Sequence, residues 1–149
     1  MRALRALLPA VIATGLLHLP LYAQTTRPGV PLEDFVQEVA RLWGDGDVGS
    51  LVGLLPAEDP LLLDAGSGIE SANPRHAAAA LRALFAAHET MGATAVRVTV
   101  SSTSPARGFG ELAWIYRARG APGEQSRSVY VAVLQEQGGW RITELRVMP

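Results

Sequence analysis

The stretch ELAWIYRARGAPGEQSRSVYVAVLQEQGGWRI, residues 111–142, decides the fold of this chain. Apolar residues recur there at every second position, which is the period of a half-buried β-strand. One apolar row runs from Leu112 to Tyr116, and the next runs from Val129 to Val133. A short connection that contains Gly and Pro separates the two rows, so we predict two neighbouring antiparallel strands.

The same alternation continues on both sides of this stretch. Upstream it begins at Ala95, and downstream a tight Gly-Gly turn leads into a strand that starts at Trp140 and ends near Met148. We therefore predict four long strands joined by short turns, which is an antiparallel meander. Glu144 interrupts the alternation of the last strand, and the shift in phase favours a β-bulge there.

Three helices are predicted before these strands. Residues 32–43 carry apolar side chains at helical spacing, and Gly44 is expected to end that helix. Asp47 can cap a second, short helix. Asn73, followed by proline, predicts the start of a third, Ala-rich helix, which we expect to continue to Gly92.

A short strand pair is predicted between the second and third helices, at residues 61–63 and 69–71. Helices and a short hairpin followed by a run of strands are typical of the α+β class. We therefore expect one domain over residues 31–149, in which the N-terminal helices pack on one face of a curved antiparallel sheet.

The N-terminal segment has the composition of a secretory signal peptide. Arg2 and Arg5 precede an uncharged, Leu-rich run, and a polar segment follows Ala23. This pattern predicts cleavage after Ala23, with residues 24–30 as a linker. An uncleaved membrane anchor is the alternative, although Pro and Gly interrupt the apolar run. We expect an exported protein, periplasmic or secreted, with no stable membrane span after cleavage.

Composition limits the chemistry that is open to the chain. It contains no Cys and no Lys, so thiol catalysis, Cys-ligated zinc and Lys Schiff bases are excluded. Without the two arginines of the signal segment, 11 arginines remain against 14 acidic residues, a formal charge of −3. With no basic cluster, nucleic acid is not an expected partner.

No motif indicates a metal or a cofactor. The segment DAGSG, residues 64–68, follows a predicted strand as in dinucleotide-binding sites, but Ser71 replaces the third glycine and no βαβ unit follows. The segment that begins at Asp45 lacks the central glycine of a calcium-binding loop, because Ser50 stands at its sixth position. His76 and His88 would point about 120° apart on one helix and cannot share a metal without other ligands.

The predicted order of elements resembles the cone-shaped α+β roll of nuclear transport factor 2, the ketosteroid isomerases, scytalone dehydratase and the polyketide cyclases, a cystatin-like architecture. The resemblance covers roughly residues 32–148 and includes the corner WGDGD, residues 43–47, and the turn GGWRI, residues 138–142. The sequence is also similar to small exported bacterial proteins of unassigned function, through GIES at residues 68–71 and LFAAH at residues 84–88.

Any gap that the helices leave over the concave face of the sheet would form a pocket, and a fully packed interior is the alternative. Trp114 and Tyr116 share one strand face and could line such a cavity or fill the core. His88, expected near the end of the third helix, and Glu144, at the predicted bulge, are further candidates for a ligand-binding site. A surface ion pair of Glu144 with Arg141 or Arg146 is the simpler interpretation of that carboxylate.

In ketosteroid isomerases a buried carboxylate acts as the base and a tyrosine or an acid polarises the substrate carbonyl. The residue types that could fill these roles here are Asp64, Glu111, Glu144, Tyr116 and Tyr130. No short motif assigns the roles, so the catalytic residues stay unassigned.

We therefore expect a non-enzymatic exported domain that needs no cofactor and binds a small apolar ligand or a protein partner. The alternative is a cofactor-independent lyase or isomerase. A homodimer through the open face of the sheet is compatible with either function.

Overall fold

The computed structural model describes residues 29–149, so the predicted signal segment and most of the predicted linker lie outside the described residues. Three helices and six strands follow one another in this range. They are α1 (Leu32–Asp45), α2 (Val48–Gly53), β1 (Leu61–Asp64), β2 (Glu70–Ala72), α3 (Pro74–Ala87), β3 (His88–Thr103), β4 (Ala106–Ala118), β5 (Gln125–Glu136) and β6 (Gly139–Val147).

The six strands form one sheet in the order β2-β1-β6-β5-β4-β3. The last four strands pair antiparallel with their chain neighbours, which confirms the predicted meander, and β1 pairs with β2 as the predicted hairpin. β1 also pairs parallel with β6, a contact that the sequence did not predict. The α+β class and the helices packed on one face of the sheet are confirmed.

The predicted helix caps form. Asp47 accepts a hydrogen bond from the backbone N–H of Ser50 at 3.0 Å, and Asn73 accepts one from the N–H of His76 at 2.8 Å. These bonds satisfy N–H groups that have no partner inside the helix. The hydrogen bonds from the hydroxyl and the backbone N–H of Ser50 also hold the pKa of the Asp47 carboxyl below its usual range.

The first helix ends at Asp45, one residue later than Gly44. The residue in the left-handed conformation is Gly46, at φ 66°, and its N–H bonds to the carbonyl of Trp43. Gly44 stays helical and has a different role, because a Cβ there would lie 2.9 Å from the backbone nitrogen of Ala93. The helix and β3 approach closely at this glycine, so the prediction of a stop at Gly44 was wrong.

The boundary between α3 and β3 was also predicted wrongly. The helix ends at Ala87, and His88 is the first residue of β3, where it pairs with Ala118 of β4. Residues 88–94, which have no strand-like alternation, become a strand because β4 offers them backbone hydrogen-bond partners. Tertiary pairing overrides local preference here.

The expected single apolar row on β3 is broken by irregularities. The register between β3 and β4 shifts at three points, and each shift leaves one extra residue on β3. Val96 is the extra residue of the second shift. Both Val96 and Val100 are more than half exposed, whereas Val98 packs against the core. Bulges on an edge strand also discourage pairing with another chain.

α1 lies directly on β4 at two glycines. A Cβ at Gly108 would collide with the side chain of Leu32, and a Cβ at Gly110 would lie 2.5 Å from Cγ1 of Val36. Both apolar side chains are buried. The absence of side chains on this part of β4 therefore sets the distance between the helix and the sheet.

Gly110→Ala should destabilise the fold by about 1–3 kcal/mol, because the new methyl group overlaps the fully buried Val36. Urea unfolding measures the change in the free energy of unfolding. Combined with Val36→Ala, the substitution should cost clearly less than the sum of the two single changes. Additive losses would show that the two positions do not compete for space.

Asn73→Ala should lower the free energy of unfolding by about 1 kcal/mol, because it removes the cap of α3. Asn73→Ser is the matched control, since serine can accept the same hydrogen bond. Equal losses for alanine and serine in urea unfolding would contradict the capping role.

Candidate functional site

Five aromatic rings fill the space between the helices and the sheet. We call Trp43, Phe85, His88, Trp114 and Tyr116 the aromatic cluster. The Trp114 and Tyr116 rings stack at 4.3 Å between centroids, and Trp43 stands edge-on to Trp114 at 5.6 Å and to Phe85 at 5.1 Å. Edge-to-face and offset-stacked rings attract one another beyond their burial. Trp43 and Trp114 are fully buried, so the cluster is part of the core.

Most polar atoms of the aromatic cluster have partners inside the domain. Nε1 of Trp114 donates to Oγ1 of Thr90 at 2.9 Å, and the Tyr116 hydroxyl donates to Oε1 of Gln125 at 2.9 Å. Nδ1 of His88 lies 2.9 Å from the carbonyl oxygen of Leu84. Because a carbonyl oxygen only accepts, Nδ1 carries the proton.

The Trp43 indole is the exception in the aromatic cluster. Its Nε1 is buried without a hydrogen-bond partner among the described residues. The rings of Phe85 and Trp114 pack edge-to-face against this indole.

The candidate carboxylates lie away from the aromatic cluster. Asp64 accepts hydrogen bonds from the N–H groups of the two glycines of its own loop, at 2.9 and 3.1 Å. Glu111 accepts from the Ser128 hydroxyl at 3.0 Å, and Glu144 lies 2.8 Å from Nε of Arg146. Within residues 29–149 no polar or charged residue is buried, and no group of three or more potential ligands could hold a metal ion.

The predicted bulge in β6 is present. The register between β5 and β6 shifts so that Ala132 pairs with Glu144 and Val133 pairs with Ile142, which leaves Thr143 as the extra residue. Glu144 therefore lies on the sheet face opposite the helices, which we call the outer face. Of the two partners predicted for its carboxylate, Arg146 is the one observed.

A hollow of about 570 Å³ opens on the outer face, beside this bulge. Its size is within the range of small-molecule sites. The rings of Phe109 and Tyr130 lie 5.6 Å apart at its side, and the small side chain of Ala132 keeps it open. The full lining is Ser101, Arg107, Gly108, Phe109, Tyr130, Ala132, Val133, Leu134, Thr143 and Glu144.

Part of this lining was predicted from the sequence. Tyr130 and Glu144 were candidates, whereas Phe109 and Arg107 were missed. A signal for Phe109 exists, because it alternates with the inward-facing row of β4 and must point outward, as Tyr130 does on β5. Trp114, Tyr116 and His88 do not line this hollow, and their role as ligand contacts stays a prediction.

The register of the sheet arranges the arginines around the hollow in two rows. The first, which we call the paired row, consists of Arg97, Glu111, Tyr130 and Arg146 on β3 to β6. The second, the arginine row, consists of Arg107, Leu134 and Arg141 on β4 to β6.

The paired row is electrically balanced. Arg97 lies 3.9 Å from Glu111, and Arg146 lies 2.8 Å from Glu144, which faces the row from the bulge. The second contact is too bent for a hydrogen bond, since Nε of Arg146 lacks a hydrogen-bond partner. It is therefore an ion pair by distance. The guanidinium of Arg146 also lies 5.6 Å from the centroid of Tyr130, within the range of a cation–π contact.

The arginine row carries two positive charges without acidic partners. Neither Arg107 nor Arg141 forms an ion pair with any residue of the range 29–149. Arg141 donates to the backbone carbonyl of Trp140, and the nearby Glu136 at the end of β5 pairs with neither arginine. The hollow is thus electrically neutral at the end where Glu144 pairs with Arg146, and positively charged at the end where Arg107 lies.

No helix within residues 29–149 is long and apolar enough to cross a membrane. No family profile matches the sequence, and no curated protein matches it.

Solved structures match the fold at low sequence identity. A DUF4783 family protein from Bacteroides fragilis matches with a TM-score of 0.61 at 16% identity, covering 80% of this chain and 97% of its own. A hypothetical protein with a ketosteroid isomerase-like fold from Catenulispora acidiphila, solved in complex with trimethylamine, matches with a TM-score of 0.62 at 14% identity, covering 80% and 87%.

A ketosteroid isomerase-like protein from Erwinia carotovora atroseptica matches with a TM-score of 0.58 at 10% identity, covering 78% of this chain and 92% of its own. At these identities the matches concern the fold alone. The chain has the α+β roll of the nuclear transport factor 2-like and ketosteroid isomerase-like proteins.

Proposed function

We propose that this chain is an exported, non-enzymatic binding domain and that its binding surface is the outer face of the sheet. One observation carries the proposal. The aromatic cluster occupies the space between helices and sheet. The outer face, in contrast, has an open hollow that is lined by two aromatic rings, Phe109 and Tyr130. Concave surfaces with a few polar groups are the usual binding sites of folded domains.

The lyase or isomerase alternative requires an enclosed base beside a tyrosine. Tyr116 has a buried ring, but its hydroxyl already donates to Gln125, and the aromatic cluster surrounds it. The three candidate carboxylates form hydrogen bonds or ion pairs in loops or on the outer face. No specific observation therefore favours this alternative.

Export is supported by the sequence of residues 1–23. When the full chain is expressed in a bacterial host, intact-mass spectrometry of the exported product should give the mass of residues 24–149. A substitution of Ala23 by a large residue should block processing, because the peptidase requires a small residue at that position. A mature protein that retains residues 1–23 would contradict cleavage.

Native mass spectrometry tests the binding surface. The processed protein, purified without refolding, should carry a bound molecule, a partner or a second copy. Ala132→Arg should remove that species, because the long side chain fills the hollow. Ala113→Arg places the same side chain on the same outer face but outside the hollow, and should leave the complex intact. A bound species that survives Ala132→Arg would contradict the proposal.

A further inference from the structure

We propose that the hollow on the outer face binds a small amphipathic carboxylate, with the carboxylate at Arg107, the apolar body against Phe109 and Tyr130, and Arg141 adding positive charge from the same row. This inference rests on the proposed function and specifies the chemistry of the ligand. It follows from the distribution of charge along the hollow.

The arginines of the positive end form no ion pair with a carboxylate of the described residues. Arg107 lines the hollow. Arg141 lies outside the lining, two strands away in the same row on the far side of Leu134, and its guanidinium lies over the turn at Gly138. A guanidinium binds a carboxylate in a fixed, two-pronged geometry, so this end of the hollow complements an organic acid.

The only acid in the lining is already compensated. Glu144 lies 2.8 Å from Arg146, and both side chains are about three-quarters shielded from solvent, with exposed fractions of 22% and 29%. The balanced pair adds no net charge to the hollow. A cationic ligand would therefore meet two unpaired arginines and no free carboxylate.

The middle of the hollow suits an apolar body. The ring planes of Phe109 and Tyr130 are inclined by 31° to one another, and the small side chain of Ala132 leaves the floor open between them and Leu134. Arg107 and Phe109 are two residues apart on β4, a distance of about 7 Å along the strand. An acid whose apolar part extends over a few ångströms thus reaches the aromatic rings while its carboxylate stays at the arginine row.

Binding of naphthoate to the isotope-labelled processed protein, followed by amide chemical shifts, tests the inference. The shifts should cluster at Phe109, Ala132 and Leu134. Naphthamide has the same ring without the charge, and naphthylmethylamine has the opposite charge. We expect naphthamide to bind about tenfold more weakly than naphthoate, and the amine to bind more weakly still.

Variants separate the arginine row from general electrostatics. Arg107→Gln should raise the Kd of naphthoate about tenfold, and Arg107→Gln with Arg141→Gln should raise it further. Arg97→Gln is the matched control, because it removes the same charge from the same face but from the paired row. It should leave the Kd within about twofold, since screening weakens distant charges. Thermal unfolding establishes that each variant is folded.

Three outcomes would overturn the inference. These are equal affinity for naphthoate and naphthamide, an equal effect of Arg97→Gln and Arg107→Gln, and shifts that map to the aromatic cluster. Binding to vesicles of anionic lipid without binding of naphthoate would assign the arginines to a membrane surface and would also overturn it.

The proposed function can survive that failure. Suppose that naphthoate does not bind, whereas Ala132→Arg dissociates a dimer or releases a protein partner and Ala113→Arg does not. In that case the outer face is still the binding surface. The carboxylate inference would then be wrong while the proposed function stands.

Discussion

The Trp43 indole joins three parts of the molecule at one point. It extends from α1, and its edge-to-face contacts reach Phe85 of α3 and Trp114 of β4. The indole is fully buried, so these contacts close the space that a roll of this kind would otherwise leave between its helices and its sheet. The glycines of β4 beneath α1 contribute to the same closure, because they let the helix approach the strand.

Because aromatic rings fill the interior, the candidate binding surface is the outer face of the sheet. β4 supplies Trp114 and Tyr116 to the core and presents Phe109 on the outer face, because side chains alternate between the two faces. β5 presents Tyr130 on the same outer face. The bulge at Thr143 changes the phase of β6, and places Glu144 on the outer face beside Arg146. This local irregularity neutralises one end of the hollow and leaves the arginine row as its charged end.

The predictions from sequence succeeded where the signal is local. The period of two in β4 and β5, the caps at Asp47 and Asn73, and the phase shift at Glu144 all depend on neighbouring residues, and all three are confirmed. The errors occur where distant partners decide. Residues 88–94 form a strand because β4 lies beside them, and Gly44 permits a close approach to Ala93 instead of ending a helix.

The sequence by itself determined the class of fold, the order of its elements and which residues of β4 and β5 point inward, because periodicity and capping are encoded within a few residues of each position. It identified Trp114 and Tyr116 as either core or cavity residues. Only the tertiary structure decided that their rings are packed against Trp43, that β1 pairs parallel with β6, and that Arg107, Leu134 and Arg141 form one row. These features depend on strand register and on the distance between helix and sheet, which arise from contacts between residues far apart in the chain.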